Sequence, residues 1–114
     1  MKHIMRLNAS PFDKIINGTK TIELRLNDEK RRKINCGDEI TFVNREENNK
    51  TVTARVLKLH RYNSFKDLYS ELSLEKCGYA QEEIISAKPE DMLQYYSEEE
   101  QKKYGVLGIE IELI

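Results

Sequence analysis

Apolar and polar residues along this chain repeat with two different periods, and the changes of period mark its elements. Residues 3 to 8 predict a short strand. Ser10 and Pro11 then predict the start of a helix, with a hydroxyl at the N-cap and proline at the first helical position. Phe12, Ile15 and Ile16 recur at i, i+3 and i+4 and form its buried stripe. Gly18 supplies the stop, because the left-handed residue that ends many helices carries no steric cost only as glycine. A strand is expected from about Thr21 to Asn27. Its alternation sends Ile22, Leu24 and Leu26 to one face and Thr21, Glu23, Arg25 and Asn27 to the other.

Asn27 and Asp28 predict the cap of a short helix, with Lys30, Arg31, Arg32 and Lys33 toward its end, where the helix dipole favours cations. A strand is expected at 39 to 45, a hairpin turn at 47 to 50, and a longer strand from about Thr51 to Tyr62. In that strand the apolar parity shifts between Val56 and Leu57, the signature of a bulge or a barrel corner. Residues 64 to 104 read as mostly helical. Ser64 caps a segment bearing Phe65, Leu68, Tyr69 and Leu72, and Pro89 opens another bearing Met92, Leu93 and Tyr96. Residues 76 to 86 show no clear period. Leu107, Ile109, Ile111 and Leu113 alternate with polar residues or glycine and define a last strand. The expected class is α+β, a small curved sheet or partly closed barrel with peripheral helices.

A chain of 114 residues suits a single domain spanning 1–114, with a core large enough to need neither a disulfide nor a metal. The net charge of −1 hides an asymmetry. Residues 1 to 66 carry fifteen Lys and Arg against eight Asp and Glu, whereas residues 67 to 114 carry four against twelve. A polyanion would meet the first part. Cys36 and Cys77 lie far apart without metal-ligand spacing, so two buried or half-buried free thiols in a reducing compartment are expected, and no metal. No stretch approaches the ~20 apolar residues of a membrane helix, and the expected location is cytoplasmic.

The densest candidate chemistry is the run from Gly18 to Arg25, which places Lys20, Glu23 and Arg25 around a short apolar alternation. Glu23 and Arg25 share a strand face about 7 Å apart at their backbones. Lys20 has the wrong parity for that face and can join it only from the turn that Gly18 permits. On residue types alone, the three charges read as a solvated strand face with one exposed ion pair. His3 and His60 are isolated and without a ligand set.

Gly18, Lys20, Glu23 and Arg25 match the four fixed positions of a signature: glycine, any residue, lysine, two residues, glutamate, any residue, arginine. In this the chain resembles the ASCH domain family, the activating signal cointegrator homology group of the PUA-like superfamily. Pro11-Phe12, Gly37-Asp38 and Gly105 to Ile111 extend the resemblance over most of the chain. It implies a PUA-like β-barrel with helices outside it and a cleft on which the signature lysine, glutamate and arginine converge. Family members are thought to bind RNA or modified nucleosides, which makes RNA or a nucleotide the expected partner, with a protein partner as a third reading and no cofactor.

Under that resemblance Arg25 offers a planar fork to a phosphate or base edge, Lys20 a mobile charge, and Glu23 an acceptor for an exocyclic amine. Thr21, Asn27 and Arg6 are expected beside them, and Lys30, Arg31, Arg32 and Lys33 would extend the site as a phosphate track. Tyr104 is the first candidate for a base-stacking ring, although most aromatic residues fall at core-packing positions. Some family members are amidohydrolases acting on N4-acetylcytidine, using the signature lysine, a threonine three positions later and a distant glutamate. Here that position is Glu23, so the nucleophile is missing, and Glu71 or Glu75 are the candidates for the distant carboxylate. A hydrolase or ribonuclease would rely on Lys20 and Glu23 as its catalytic pair.

Overall fold

The computed structural model describes residues 1–114, and its elements follow the periodicities closely. Strand β1 (Lys2–Leu7) leads into helix α1 (Ala9–Ile16), then β2 (Ile22–Leu26), a 3₁₀ turn at Arg31–Lys33, β3 (Glu39–Asn44) and β4 (Thr51–Tyr62). Helices α2 (Phe65–Glu71) and α3 (Gln81–Ser86), a 3₁₀ segment at Pro89–Gln94 and helix α4 (Glu98–Tyr104) precede β5 (Val106–Leu113). The five strands form one sheet in the order β1-β3-β4-β5-β2. Only the β1–β3 pair is parallel, and the others are antiparallel.

Curvature comes from β4, whose register against β5 shifts between Val56 and Lys58 at the position where the apolar parity breaks. Leu57 is the residue left over there and is exposed, while Val56 is buried and Leu59 half-buried. The sheet curls into a half-barrel around Phe12, Ile40, Phe42, Val56, Leu107 and Ile109, all at 0–1% exposure. Each large apolar side chain so buried contributes about 1.5–3 kcal/mol. A second cluster of Leu26, Phe65, Leu68, Met92 and Val106 packs α2 and the 3₁₀ segment against the β2–β5 end of the sheet. Tyr62, Tyr69, Tyr96 and Tyr104 pack at its margin, as their spacing predicts.

Several local expectations are corrected. Helix α1 starts at Ala9, with Asn8 at the N-cap making no side-chain cap, so Ser10 is not the capping residue. Pro11 is tolerated one turn in because the first four helical N–H groups have no partner within the helix anyway. Asp28 accepts from the Arg31 backbone N–H at 3.1 Å, but the segment closes only a 3₁₀ turn. Pro89 likewise opens a 3₁₀ segment in which Met92 is buried and Leu93 exposed. Ser64 caps α2 as expected, accepting from the Asp67 N–H at 3.3 Å. Of the two free thiols, Cys77 is buried but Cys36 is exposed on the turn before β3. No helix is long and apolar enough to cross a membrane.

Candidate binding site at the seam of the sheet

The seam of the half-barrel lies between its two end strands, β1 and β2, and the signature residues fill it. Helix α1 ends at Ile16 with Asn17 as its C-cap, and Gly18 follows at φ +83°, turning the chain toward β2. Thr19 is held by Asn17 Oδ1, which accepts from its backbone N–H at 3.0 Å and its hydroxyl at 2.7 Å. Lys20 then bridges to Cys77 in the loop between α2 and α3. The Thr21 and Ile22 N–H groups both donate to the Lys76 carbonyl, at 2.8 and 3.0 Å. Lys20 thus reaches the Glu23 face from the turn, as the parity argument requires.

Glu23 is the hub of the arrangement. Lys20 Nζ lies 2.8 Å from its Oε1, while Nε and Nη2 of Arg25 each lie 2.9 Å from its Oε2. Arg25 Nη2 also donates to the backbone carbonyl of Arg6 on β1 at 3.0 Å, which ties the seam shut. The expected solvated strand face is therefore wrong: Glu23 is 3% exposed and Arg25 9%. Both faces of β2 are covered, because its apolar face packs on the second cluster while its charged face lines the seam. Burial pushes the Glu23 carboxyl up, but the charges and hydrogen bonds of Lys20 and Arg25 outweigh it and hold the group below the usual carboxylate range. With both oxygens engaged, Glu23 acts first as the partner of two cations. Arg25 keeps Nη1 without a partner in the protein, and Lys20 keeps further donor hydrogens.

Above these groups opens a cleft of about 240 Å³, continuous through shared wall residues with a neighbouring cavity of about 420 Å³. Arg6, Arg45, Cys77, Tyr79, Tyr95 and Tyr96 are among the lining residues of the cleft. Tyr79 is fixed by a 2.7 Å hydrogen bond between its hydroxyl and that of Tyr69. Tyr96 stacks on Phe65 with ring centroids 5.9 Å apart. Tyr95 is 61% exposed and has no ring partner. Burial pushes the Cys77 thiol up to about 11 in spite of Lys20 nearby, so it is protonated at neutral pH and a poor nucleophile.

The structure brings Lys20, Glu23, Arg25 and Arg6 together and separates the remaining candidates. Thr21 precedes the first residue of β2 and is held through its backbone, so strand alternation does not carry its side chain into the cleft. Asn27 lies beyond the other end of β2, where its N–H donates to the Gly105 carbonyl, and it lines a separate open groove with Tyr104 and Lys103. Arg31 pairs with Asp28 at 3.0 Å, and Arg32 donates to the carbonyls of Asn27 and Tyr104. Lys30 and Lys33 are exposed, and none of the four cations lines the cleft. They lie apart from it because the 3₁₀ turn follows the Asn27 end of β2, away from Lys20.

Tyr104 belongs to the same far groove, with Lys103 Nζ 5.1 Å and the Arg32 guanidinium 5.8 Å from its ring centre. Glu71 lines that groove too, and neither it nor Glu75 reaches the cleft. His3 pairs with Asp38 at 2.8 Å and His60 with Glu110 at 3.0 Å, each a satisfied histidine. Sequence reasoning missed Arg45, Cys77 and Tyr79. Arg45 depends on the parallel β1–β3 pairing, which has no local sequence signal, and the other two fall in the stretch without a period.

The ASCH domain model matches residues 5–114. Among solved structures, hypothetical protein PH0355 is 38% identical with a TM-score of 0.79 over the full length of both chains. Protein PF0455 from Pyrococcus furiosus is also 38% identical, with a TM-score of 0.71 over all of this chain and 98% of that one. A mutant of the ASCH protein of Zymomonas mobilis, at 11% identity, shares the fold with a TM-score of 0.67 over all of this chain and 76% of its own. No curated protein matches. The curled five-stranded sheet with helices outside it is thus the PUA-like architecture. Through the family match from residue 5 to the last residue, supported by two relatives aligned over essentially their whole lengths, the chain belongs to the ASCH domain family.

Proposed function

We propose that this ASCH domain binds RNA, or a nucleotide-sized part of it, in the seam cleft over Lys20, Glu23 and Arg25, and that it does so in the cytoplasm. The observation that carries the reading is the cluster of buried Glu23 and Arg25 with half-buried Lys20, in a cleft that exposed Tyr95 also lines. A cluster needed only for packing would be replaceable by apolar side chains at little cost. One that leaves donor hydrogens at Lys20 and Arg25 beside an open cleft suits a ligand rich in acceptors. Tyr95 adds a free ring on which a base can stack.

The hydrolase alternatives gain less support. Lys20 Nζ is engaged at 2.8 Å by the Glu23 carboxylate, the position three residues later offers no hydroxyl, and the Cys77 thiol is protonated. Fluorescence titration of a labelled oligoribonucleotide at two salt concentrations tests the binding reading. Lys20→Ala is expected to weaken binding at both salt concentrations, because a charged donor at the floor of the cleft is lost. Unchanged affinity at both salt concentrations would overturn it. Release of cytidine from N4-acetylcytidine by the wild type, lost in Lys20→Ala, would favour the amidohydrolase instead.

A further inference from the structure

Four cations line the cleft, and they fall into two kinds. Arg25 is buried and Lys20 half-buried, and both are compensated by Glu23. Arg6 and Arg45 are exposed at the mouth, their side chains make no hydrogen bond, and no carboxylate lies within 4 Å of either guanidinium. Arg6 lies on β1 and Arg45 directly follows β3, and the parallel pairing of the two strands brings their backbones to the same end of the seam. Leu7 pairs with Asn44, and the Arg45 N–H donates to the Leu7 carbonyl at 2.8 Å. With one carboxylate against four cations, the cleft concentrates positive charge on a chain whose net charge is −1.

Resting on the proposed binding of RNA or a nucleotide, we infer that Arg6 and Arg45 form a phosphate subsite at the mouth of the cleft, so that the site takes a base together with its adjoining phosphate rather than a free nucleoside. The chemistry separates the two ends. Lys20 and Arg25, desolvated and held by Glu23, suit the neutral acceptors of a base edge, since a buried cation already paired with a carboxylate has one charge partner. Arg6 and Arg45 present planar forks whose charge nothing in the protein neutralises, and a guanidinium pair fits phosphate oxygens bidentately. Exposed Tyr95 lines the same cleft and offers a ring face to the base. A mononucleotide and an RNA chain offer the same phosphate chemistry.

Calorimetric titration with cytidine, cytidine 3′- and 5′-monophosphate and a six-nucleotide RNA tests the assignment. The wild type is expected to bind at least one phosphorylated ligand about tenfold or more tightly than cytidine. In the Arg6→Gln/Arg45→Gln protein that advantage disappears, while cytidine binding changes less than twofold. Both side chains are exposed, and thermal unfolding checks that the variant folds as the wild type does. An advantage seen with both monophosphates identifies a mononucleotide as sufficient, and one seen only with the hexamer identifies an RNA phosphodiester; either supports the subsite. Equal affinity for cytidine and all phosphorylated ligands, or equal loss of cytidine and phosphorylated ligands in the variant, overturns it and leaves the binding cleft standing. Absence of binding by every ligand overturns both the subsite and the proposed function.

Discussion

Arg25 on β2 donates from Nη2 to the backbone carbonyl of Arg6 on β1 at 3.0 Å, joining two end strands of the sheet that share no backbone ladder. The same guanidinium holds Glu23, which in turn holds Lys20. One side chain therefore closes the half-barrel and builds the floor of the cleft. This gives the signature arginine a structural duty and a binding duty that substitutions must be chosen to separate.

Glu23→Gln keeps the shape of the hub and removes its charge. Arg25 then remains buried and Lys20 half-buried without a carboxylate, and breaking a buried pair in this way costs about 3–5 kcal/mol. Urea unfolding is expected to show that loss. A change below about 1 kcal/mol would mean that both cations reach water easily.

Acid should destabilise the protein through carboxylates whose folded pKa is depressed. Glu23 is held below its ordinary 4.5 by Lys20 and Arg25 in spite of burial, and Asp38 is lowered to about 2, chiefly by its hydrogen bond with His3 and then by the Asn35 N–H. Both contributions are fully present above the unfolded carboxylate range and are lost as pH falls through the folded values. Melting temperature is expected to be flat in these terms between pH 7 and about 5 and to fall toward pH 2. Asp38→Asn should flatten the most acidic part of that curve, and an unaltered slope would contradict the assignment.

Gly78 lies at φ +95° directly under Lys20, and a Cβ there would sit 3.2 Å from the Lys20 Cβ and Cδ. Gly78→Ala is expected to lose about 1–2 kcal/mol from the left-handed backbone and to weaken RNA binding by displacing Lys20. Gly18→Ala provides the comparison, since its φ of +83° carries a similar backbone cost but a Cβ there meets nothing within 4 Å. Equal effects of the two substitutions on binding would show that the Lys20 stem is not positioned by Gly78.

Tyr95→Ala should reduce oligoribonucleotide affinity by about 1–3 kcal/mol, the worth of one base stacked on an aromatic ring. Tyr104→Ala should leave it within error, because that ring lies in the far groove beneath Lys103 and Arg32. Anisotropy titration of both variants distinguishes the rings. A larger loss for Tyr104→Ala would move the binding site to the far groove.

Much of the fold was legible because its signals are local. The alternation from Leu107 to Ile111, the Ser64 cap and the parity break at Val56 each depend on residues within a few positions of one another, and all three are present. The failures have a common cause. Asn27 and Thr21 share the strand parity of Glu23 and Arg25, but β2 spans only Ile22–Leu26, so the alternation ends before it reaches either of them. The helices before and after behave similarly, with Ser10 displaced from the cap and Pro89 opening a 3₁₀ segment, since ends of elements are decided by what packs on them.

The sequence by itself determined the spacing of Lys20, Glu23 and Arg25 and the turn that lets the lysine join the other two, because glycine conformation and strand alternation are properties of neighbouring residues. It also determined that the amidohydrolase threonine position is a glutamate. Only the tertiary structure decided that Glu23 and Arg25 are buried, that Arg25 reaches β1, and that Arg45, Cys77, Tyr79 and Tyr95 line the cleft with them. Those outcomes depend on the parallel pairing of β1 with β3, the curl introduced at Val56 and Lys58, and the loop after α2 folding back onto Lys20. Each is a contact between residues distant in the chain, where local periodicity carries no information.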